Sequence, residues 1–293
     1  MKVAFLGTGL MGLPMAQRLL AAEDIQLVAY NRTPEKLAPL QAAGAEIVTH
    51  PRHAIRAAEC VILMLTNASA IYNVLLSDTA WQTLEGRTII QMGTITPTES
   101  QEIRNAVVAG GGEYLEAPVL GSIPEAKAGK LSVMVGAEPE QYQRHLKLLQ
   151  NFGTEPLLIG PVGSAAALKL ALNQLIASLT TSFALSLAFV QRQGVDVDVF
   201  MQILRDSPLY APTFDKKLQR MLDANYADPN FPTKHLLKDT ELFISEAKSQ
   251  SLDLSSIKGV RQILQTAVKM SFADDDYSSL FSVIKEWGEA IGD

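Results

Sequence analysis

Hydrophobic positions follow two different patterns along the chain. Up to about residue 160, short apolar runs alternate with stretches at helical spacing. The runs are Lys2–Leu6, Ile25–Tyr30, Glu46–Val48, Cys60–Leu65, Thr88–Met92, Glu113–Leu115, Leu131–Val135 and Glu155–Ile159. Short apolar runs bounded by turn residues predict buried strands, and strands alternating with helices predict an α/β sheet. A helix is expected from Glu99, capped by Thr96 or Thr98. Beyond residue 162 the runs disappear. Val197–Arg205, Phe214–Leu222, Thr233–Gln250, Ile257–Met270 and Ser278–Ala290 all show amphipathic helical spacing, with Asp223–Pro232 as the longest break. Two domains follow, 1–161 with a sheet and 162–293 all helical.

The stretch Val162–Gln193 joins them. It has no proline and no acidic residue and is apolar nearly all the way round. Such a helix is expected to be buried on every side, as a wall between the domains. Lys169 and Asn173 lie four apart on it, hence on one face, expected to look into a cleft. Lys169, Asn173, Gln174, Ser178, Thr180, Thr181 and Ser182 make it too polar for a lipid-facing span.

Composition narrows the function. Hydrophobic residues make up 47% of the chain, enough for a core in each domain. The net charge of −6 and pI of about 5.3 come without a basic cluster, which argues against nucleic acid as a partner. Cys60 is the one cysteine, so no internal disulfide forms, and a reducing, cytoplasmic setting fits. The opening run MKVAFL is cut short by glycine before it could form a signal peptide. His50 and His53 sit in a loop-like stretch, and His145 and His235 read as lying on polar helical faces. No histidine has a carboxylate or cysteine at ligand spacing, so no metal is expected. Asp274–Asp276 lacks the alternation of a calcium loop and reads as a helix N-cap before Tyr277.

The first strand runs into Gly7-Thr8-Gly9-Leu10-Met11-Gly12, followed by helical spacing over Leu13–Ala22. In this context the pattern predicts a dinucleotide site: a tight turn at Gly7, close backbone approach at Gly9, and close helix–strand packing at Gly12. The helix N-terminus then faces the pyrophosphate. After the second strand, where an NAD site usually has a carboxylate, stands Asn31-Arg32-Thr33. An arginine there can pair with a 2′-phosphate, and Asn31 or Thr33 can hydrogen-bond to it, which favours NADP(H). Ligands gather at the carboxyl ends of such strands. Met64, Leu65 and Thr66 therefore join the cofactor residues, Thr94 is placed with both cofactor and substrate, and the Gly121 loop belongs to the site.

These residues resemble the β-hydroxyacid dehydrogenase family, the group of 3-hydroxyisobutyrate, tartronate-semialdehyde and glyoxylate/succinic-semialdehyde reductases. The similarity spans the chain. Gly7 through Ala16 (GTGLMGLPMA) matches the family's cofactor signature, and Glu116–Ser122 (EAPVLGS) its substrate loop. Gly163–Asn173 (GSAAALKLALN) matches the catalytic-lysine helix, while Phe231 to Lys238-Asp239 and Asp276-Tyr-Ser278 resemble two C-terminal segments. The resemblance implies a Rossmann-type domain, a long interdomain helix and an all-α domain, in a homodimer or homotetramer. It implies hydride transfer between nicotinamide and a small aldehyde or hydroxy acid. Lys169 would donate the proton to the carbonyl oxygen, and Asn173 would hold the substrate oxygen or orient the lysine. Lys238 would contact the cofactor or substrate, whereas Asp239 pairs or caps nearby.

Three departures bear on the substrate. Leu120 stands in place of the serine that holds the substrate carboxylate, with Ser122 as a substitute two positions on; Ala165 replaces a glycine, and Gly93 a serine. On its residues alone, Lys169 is either a snorkelling lysine or a general acid. The leading expectation is NADPH-dependent reduction of glyoxylate or succinic semialdehyde. The alternatives are dehydrogenation of a 3-hydroxyisobutyrate-type acid, imine reduction, and a cofactor-binding module without catalysis.

Overall fold

A computed structural model describes residues 1–286. The chain separates into two compact units, Met1–Leu170 and Ala171–Asp293.

Among the described residues, nine strands of the first unit form one sheet: β1 (Lys2–Leu6), β2 (Gln26–Tyr30), β3 (Glu46–Ile47), β4 (Cys60–Leu63), β5 (Thr88–Gln91), β6 (Glu113–Glu116), β7 (Val119–Leu120), β8 (Ser132–Gly136) and β9 (Leu157–Gly160). The order is β3-β2-β1-β4-β5-β6-β8-β7, with β9 on β8. From β3 to β6 every pairing is parallel, as right-handed crossovers through helices require. The helices are α1 (Gly12–Leu20), α2 (Ala38–Ala42), α3 (Pro51–Ala57), α4 (Ala68–Leu75), α5 (Asp78–Trp81), α6 (Pro97–Ala109), α7 (Ile123–Ala128) and α8 (Pro139–Leu149). They leave two apolar layers, one built on Phe5, Met15, Ile62 and Leu115, the other on Leu6, Leu63, Ile89 and Tyr114. Buried on both faces, the strands read as continuous apolar runs. Thr96 caps α6 in a reciprocal box with Glu99, so that helix begins two residues before the expected Glu99.

Strand β7 was not expected. It lies inside the EAPVLGS loop and is too short to show a period; it pairs antiparallel with β8, Leu120 opposite Ser132. His145 departs from expectation as well. It is buried on α8, 3.7 Å from Cys60 Sγ, because it shares a face with Leu148 and Leu149.

Helix α9 (Ser164–Arg192) begins in the first unit and gives most of its length to the second. Ala177, Phe183, Ala184, Leu187 and Ala188 enter the helical core with Met201, Phe214, Leu236 and Leu264. Burial on every side does not hold: Leu185 is 61% and Phe189 63% exposed. The other helices are α10 (Val197–Arg205), α11 (Pro212–Leu222), α12 (Thr233–Ser249), α13 (Ser255–Ala267) and α14 (Leu280–Lys285). The helix expected to reach Met270 is α-helical to Ala267 and runs on as a π-helical turn over Val268–Phe272, broken at Met270 and at Ser271, whose φ is +71°. Residues 287–290 of the helix expected over Ser278–Ala290 lie outside the described residues.

Candidate active site

Because β1, β4, β5 and β6 run parallel, their carboxyl ends collect on one edge of the sheet. The Gly7–Gly12 turn leaves β1 there. A Cβ on Gly12 would stand 1.9 Å from the Gly7 carbonyl oxygen, so no larger residue lets α1 start so close to the strand. Gly7, at φ +103°, faces the Met64 carbonyl at a Cβ distance of 2.3 Å. The space off Gly9 is open within 4 Å, and Gly9 and Leu10 are exposed at the N-terminus of α1. An exposed turn with open space before a helix N-terminus fits a pyrophosphate.

The neighbouring loop is tied down. Asn31 Oδ1 accepts from the Thr8 N–H at 3.1 Å, while Asn31 Nδ2 donates to the Thr33 carbonyl at 2.9 Å. Thr8 itself is buried. The asparagine expected to meet a phosphate therefore bridges two loops, and Arg32 is an exposed cation beside them. An arginine in that place suits a 2′-phosphate.

After β4 come Met64, Leu65 and Thr66; after β5 come Gly93 and half-buried Thr94. These loops touch, since a Cβ on Gly93 would stand 2.5 Å from the Leu65 carbonyl oxygen. That contact accounts for glycine where a serine was expected. Buried Gln91 holds the loop by bonding to both the N–H and the carbonyl of Gly93.

The substrate-loop residues follow β6. Gly121 has φ +134°, and a Cβ there would meet the Leu131 side chain at 2.7 Å. Leu120 is half-buried. Ser122 does not offer its hydroxyl proton: its N–H and Oγ both donate to the Glu125 carboxylate, at 2.9 and 2.6 Å, and cap α7.

Glu116, which sequence reasoning quoted only as the first residue of a motif, lies at the centre of a buried network. Its Oε1 accepts from the N–H groups of Gly163, Ala165 and Ala166 at 2.8, 2.9 and 3.0 Å. Ser100 Oγ donates to its Oε2 and lies 2.9 Å from Tyr114 Oη. Burial pushes the carboxyl above the usual range for glutamate, against the opposite pull of these hydrogen bonds. Lys169 follows on α9, one turn past Ala165, and is half-buried. Strand β6 carries a carboxylate at each end, Glu113 and Glu116, so nothing in its sequence set Glu116 apart.

In the helical unit, buried Asn173 donates through Nδ2 to Asp239 Oδ2 at 2.7 Å. Lys238 Nζ lies 2.7 Å from Asp239 Oδ1, so Asp239 pairs with both. With its nitrogen engaged, Asn173 is left with a buried Oδ1 that has no hydrogen-bond partner, an acceptor suited to an incoming donor. Among the described residues no group of three or more His, Cys, Asp or Glu is placed to hold a metal ion.

Comparison with known proteins agrees with the fold. Residues 2–160 match the family described as the NAD-binding domain of 6-phosphogluconate dehydrogenase. Residues 163–284 match the one described as NAD-binding of NADP-dependent 3-hydroxyisobutyrate dehydrogenase. Glyoxylate/succinic semialdehyde reductase 1 of Arabidopsis thaliana is 27% identical over 97% of this chain and 99% of its own. The 2-hydroxy-3-oxopropionate reductase of Escherichia coli is also 27% identical, over 97% of each. The crystal structure of 3-hydroxyisobutyrate dehydrogenase from Salmonella typhimurium has the same fold, with a TM-score of 0.86 at 22% identity, covering 96% of this chain and 99% of that one.

Proposed function

Because the chain belongs to the β-hydroxyacid dehydrogenase family of NAD(P)-dependent oxidoreductases, we propose that it reduces a small aldehyde or keto acid with NADPH. Glyoxylate and succinic semialdehyde are the favoured substrates, and Lys169 is the proton donor. The observation that carries this reading is that the helix bearing Lys169 is hydrogen-bonded to the end of β6, on the sheet edge where the Gly7–Gly12 turn opens.

NADPH, when bound, supplies the hydride. The Gly9–Gly12 backbone and the α1 N-terminus hold its pyrophosphate, and Arg32 pairs with the 2′-phosphate. Lys169 keeps its proton on Nζ and gives it to the carbonyl oxygen as negative charge develops there, a charge that the ammonium stabilises. Asn173, its nitrogen held by Asp239, has its Oδ1 left to accept from a substrate donor. With the Ser122 hydroxyl engaged by Glu125, the substrate carboxylate falls to Thr94 and the Gly121 backbone.

The test is initial-rate reduction of glyoxylate and succinic semialdehyde with NADPH and with NADH, for the parent and for Lys169→Ala. Turnover with NADPH preferred, and its loss in Lys169→Ala with cofactor binding kept, is the expected result. Retained turnover in that variant would sink the proton-donor assignment. Oxidation of 3-hydroxyisobutyrate with NADP+, and no reduction of either acid, would move the substrate to that branch. Tight NADPH binding with no turnover of any of the three would favour a module without catalysis.

A further inference from the structure

Helix N-termini leave their first N–H groups without intrahelical partners, and those groups are usually capped by a residue just before the helix. In α9 the cap comes from far away in sequence. Glu116 lies 47 to 50 residues upstream of the three N–H groups that its Oε1 accepts. The carboxylate also complements the positive end of the helix. Its seat is built around it. Ser100 on α6 fixes the second oxygen, and Tyr114 on β6 backs Ser100. Gly136 on β8 leaves the room, since a Cβ there would stand 2.4 Å from Glu116 Oε1. Next to Ser100, Gln101 donates to the Val162 carbonyl at 3.3 Å. The start of α9 is thus registered to the last rung of β6, and the substrate loop leaves from that same residue.

We infer that Glu116 is a positioning residue: by fixing the first turn of α9 on the sheet edge, it sets where the Lys169 ammonium stands. The inference rests on Lys169 being the proton donor. An error of about 1 Å in the placement of a reacting group can cost about 100-fold in rate. Three hydrogen bonds within the two turns before the lysine are the means of preventing such an error.

Glu116→Ala removes the clamp, whereas Glu116→Gln keeps an oxygen at the same reach. For the full-length protein, the rate of the hydride-transfer step is measured on whichever of the two acids it reduces. NADPH binding and amide exchange at Gly163, Ala165 and Ala166 are measured alongside. The expected result for Glu116→Ala is a rate about 10- to 100-fold lower, cofactor affinity within about twofold, and faster exchange at those amides. Glu116→Gln recovers most of the rate. A folded Glu116→Ala enzyme with the parental rate overturns the inference. So does a Gln variant as slow as the Ala one. If Glu116→Ala does not fold, Gly136→Ala carries the same test, since its added methyl drives the carboxylate off the helix. Lys169→Ala with full turnover would fail the parent reading in its own right, whatever Glu116 does.

Discussion

Asp276 in the helical unit and Glu116 in the sheet unit are both buried carboxylates, yet one answers to a cation and the other to dipoles. Both Asp276 oxygens lie 2.8 Å from Lys217 Nζ, and Oδ1 also accepts from the Ser278 N–H and hydroxyl. The lysine is itself buried, 4.2 Å above the Tyr277 ring, and burial holds its ammonium below the usual lysine range while Asp276 pulls it back up. Glu116 has three amides and a hydroxyl and no counter-charge among those contacts. The Asp276 charge has a single cationic partner among these contacts. A charge held by dipoles is spread over several donors, each modest alone. The second arrangement therefore survives the loss of one contact better than the first.

The largest effect is expected where the pairing is one to one. Lys217→Met leaves Asp276 buried with only the Ser278 donors, and should cost about 3–5 kcal/mol in a denaturant titration of the helical unit's signal. Adding Asp276→Asn to Lys217→Met should recover most of that, because the amide oxygen still accepts from Ser278 without a charge to desolvate. If the double variant is no better than the single, the ion pair is not what Lys217 contributes. The middle effect is expected at Glu116. Ser100→Ala removes one of four donors and strands the Tyr114 hydroxyl, at a cost of about 1–3 kcal/mol. A loss as large as that of Lys217→Met would show that the amides of α9 do not share the load.

The two carboxylates also mark how far the sequence could be read. Gly7 and Gly12 were legible because their requirements are local: six residues of spacing encode a turn and a packing contact. Lys169 drew notice as a lysine in an apolar helix, and the structure leaves it half-buried one turn past Ala165. Glu116 was not legible, since its partners are backbone N–H groups about 50 residues away, and backbone has no sequence signature. Lys217 was hidden in a different way. It follows Asp215 and Lys216 on the amphipathic helix α11, where a charged residue reads as a solvated face. Ser122 and Asn31 were read as binding groups from their chemistry, but the structure spends Ser122 on Glu125 and Asn31 on Thr8 and Thr33. Polar side chains next to loops have local competitors that spacing does not reveal.

His145 extends the comparison to a group whose charged form has only the Glu113 carboxylate in its favour. It is 5% exposed, its Nε2 is buried without a hydrogen-bond partner, and its neighbour is the Cys60 thiol. That thiol, pushed up to about 11 by burial, supplies no negative charge to an imidazolium at neutral pH. Burial holds the imidazole below its ordinary value near 6.5, with Arg144 pushing the same way and Glu113 opposing. The folded protein thus takes up this proton later than the unfolded chain. The stability linked to His145 is complete above about 6.5 and is lost as pH falls from there to the lower folded-state value. His145→Leu removes the titration and keeps an apolar side chain on the face shared with Leu148 and Leu149. The parent's urea midpoint should therefore fall more steeply with acid below about pH 6.5 than the variant's. This is the smallest of the three effects, read as a difference in slope at the acid side of neutrality. Parallel slopes would mean that the imidazolium finds a partner or water on α8, and that a buried charge in the sheet unit needs less support than Glu116 receives.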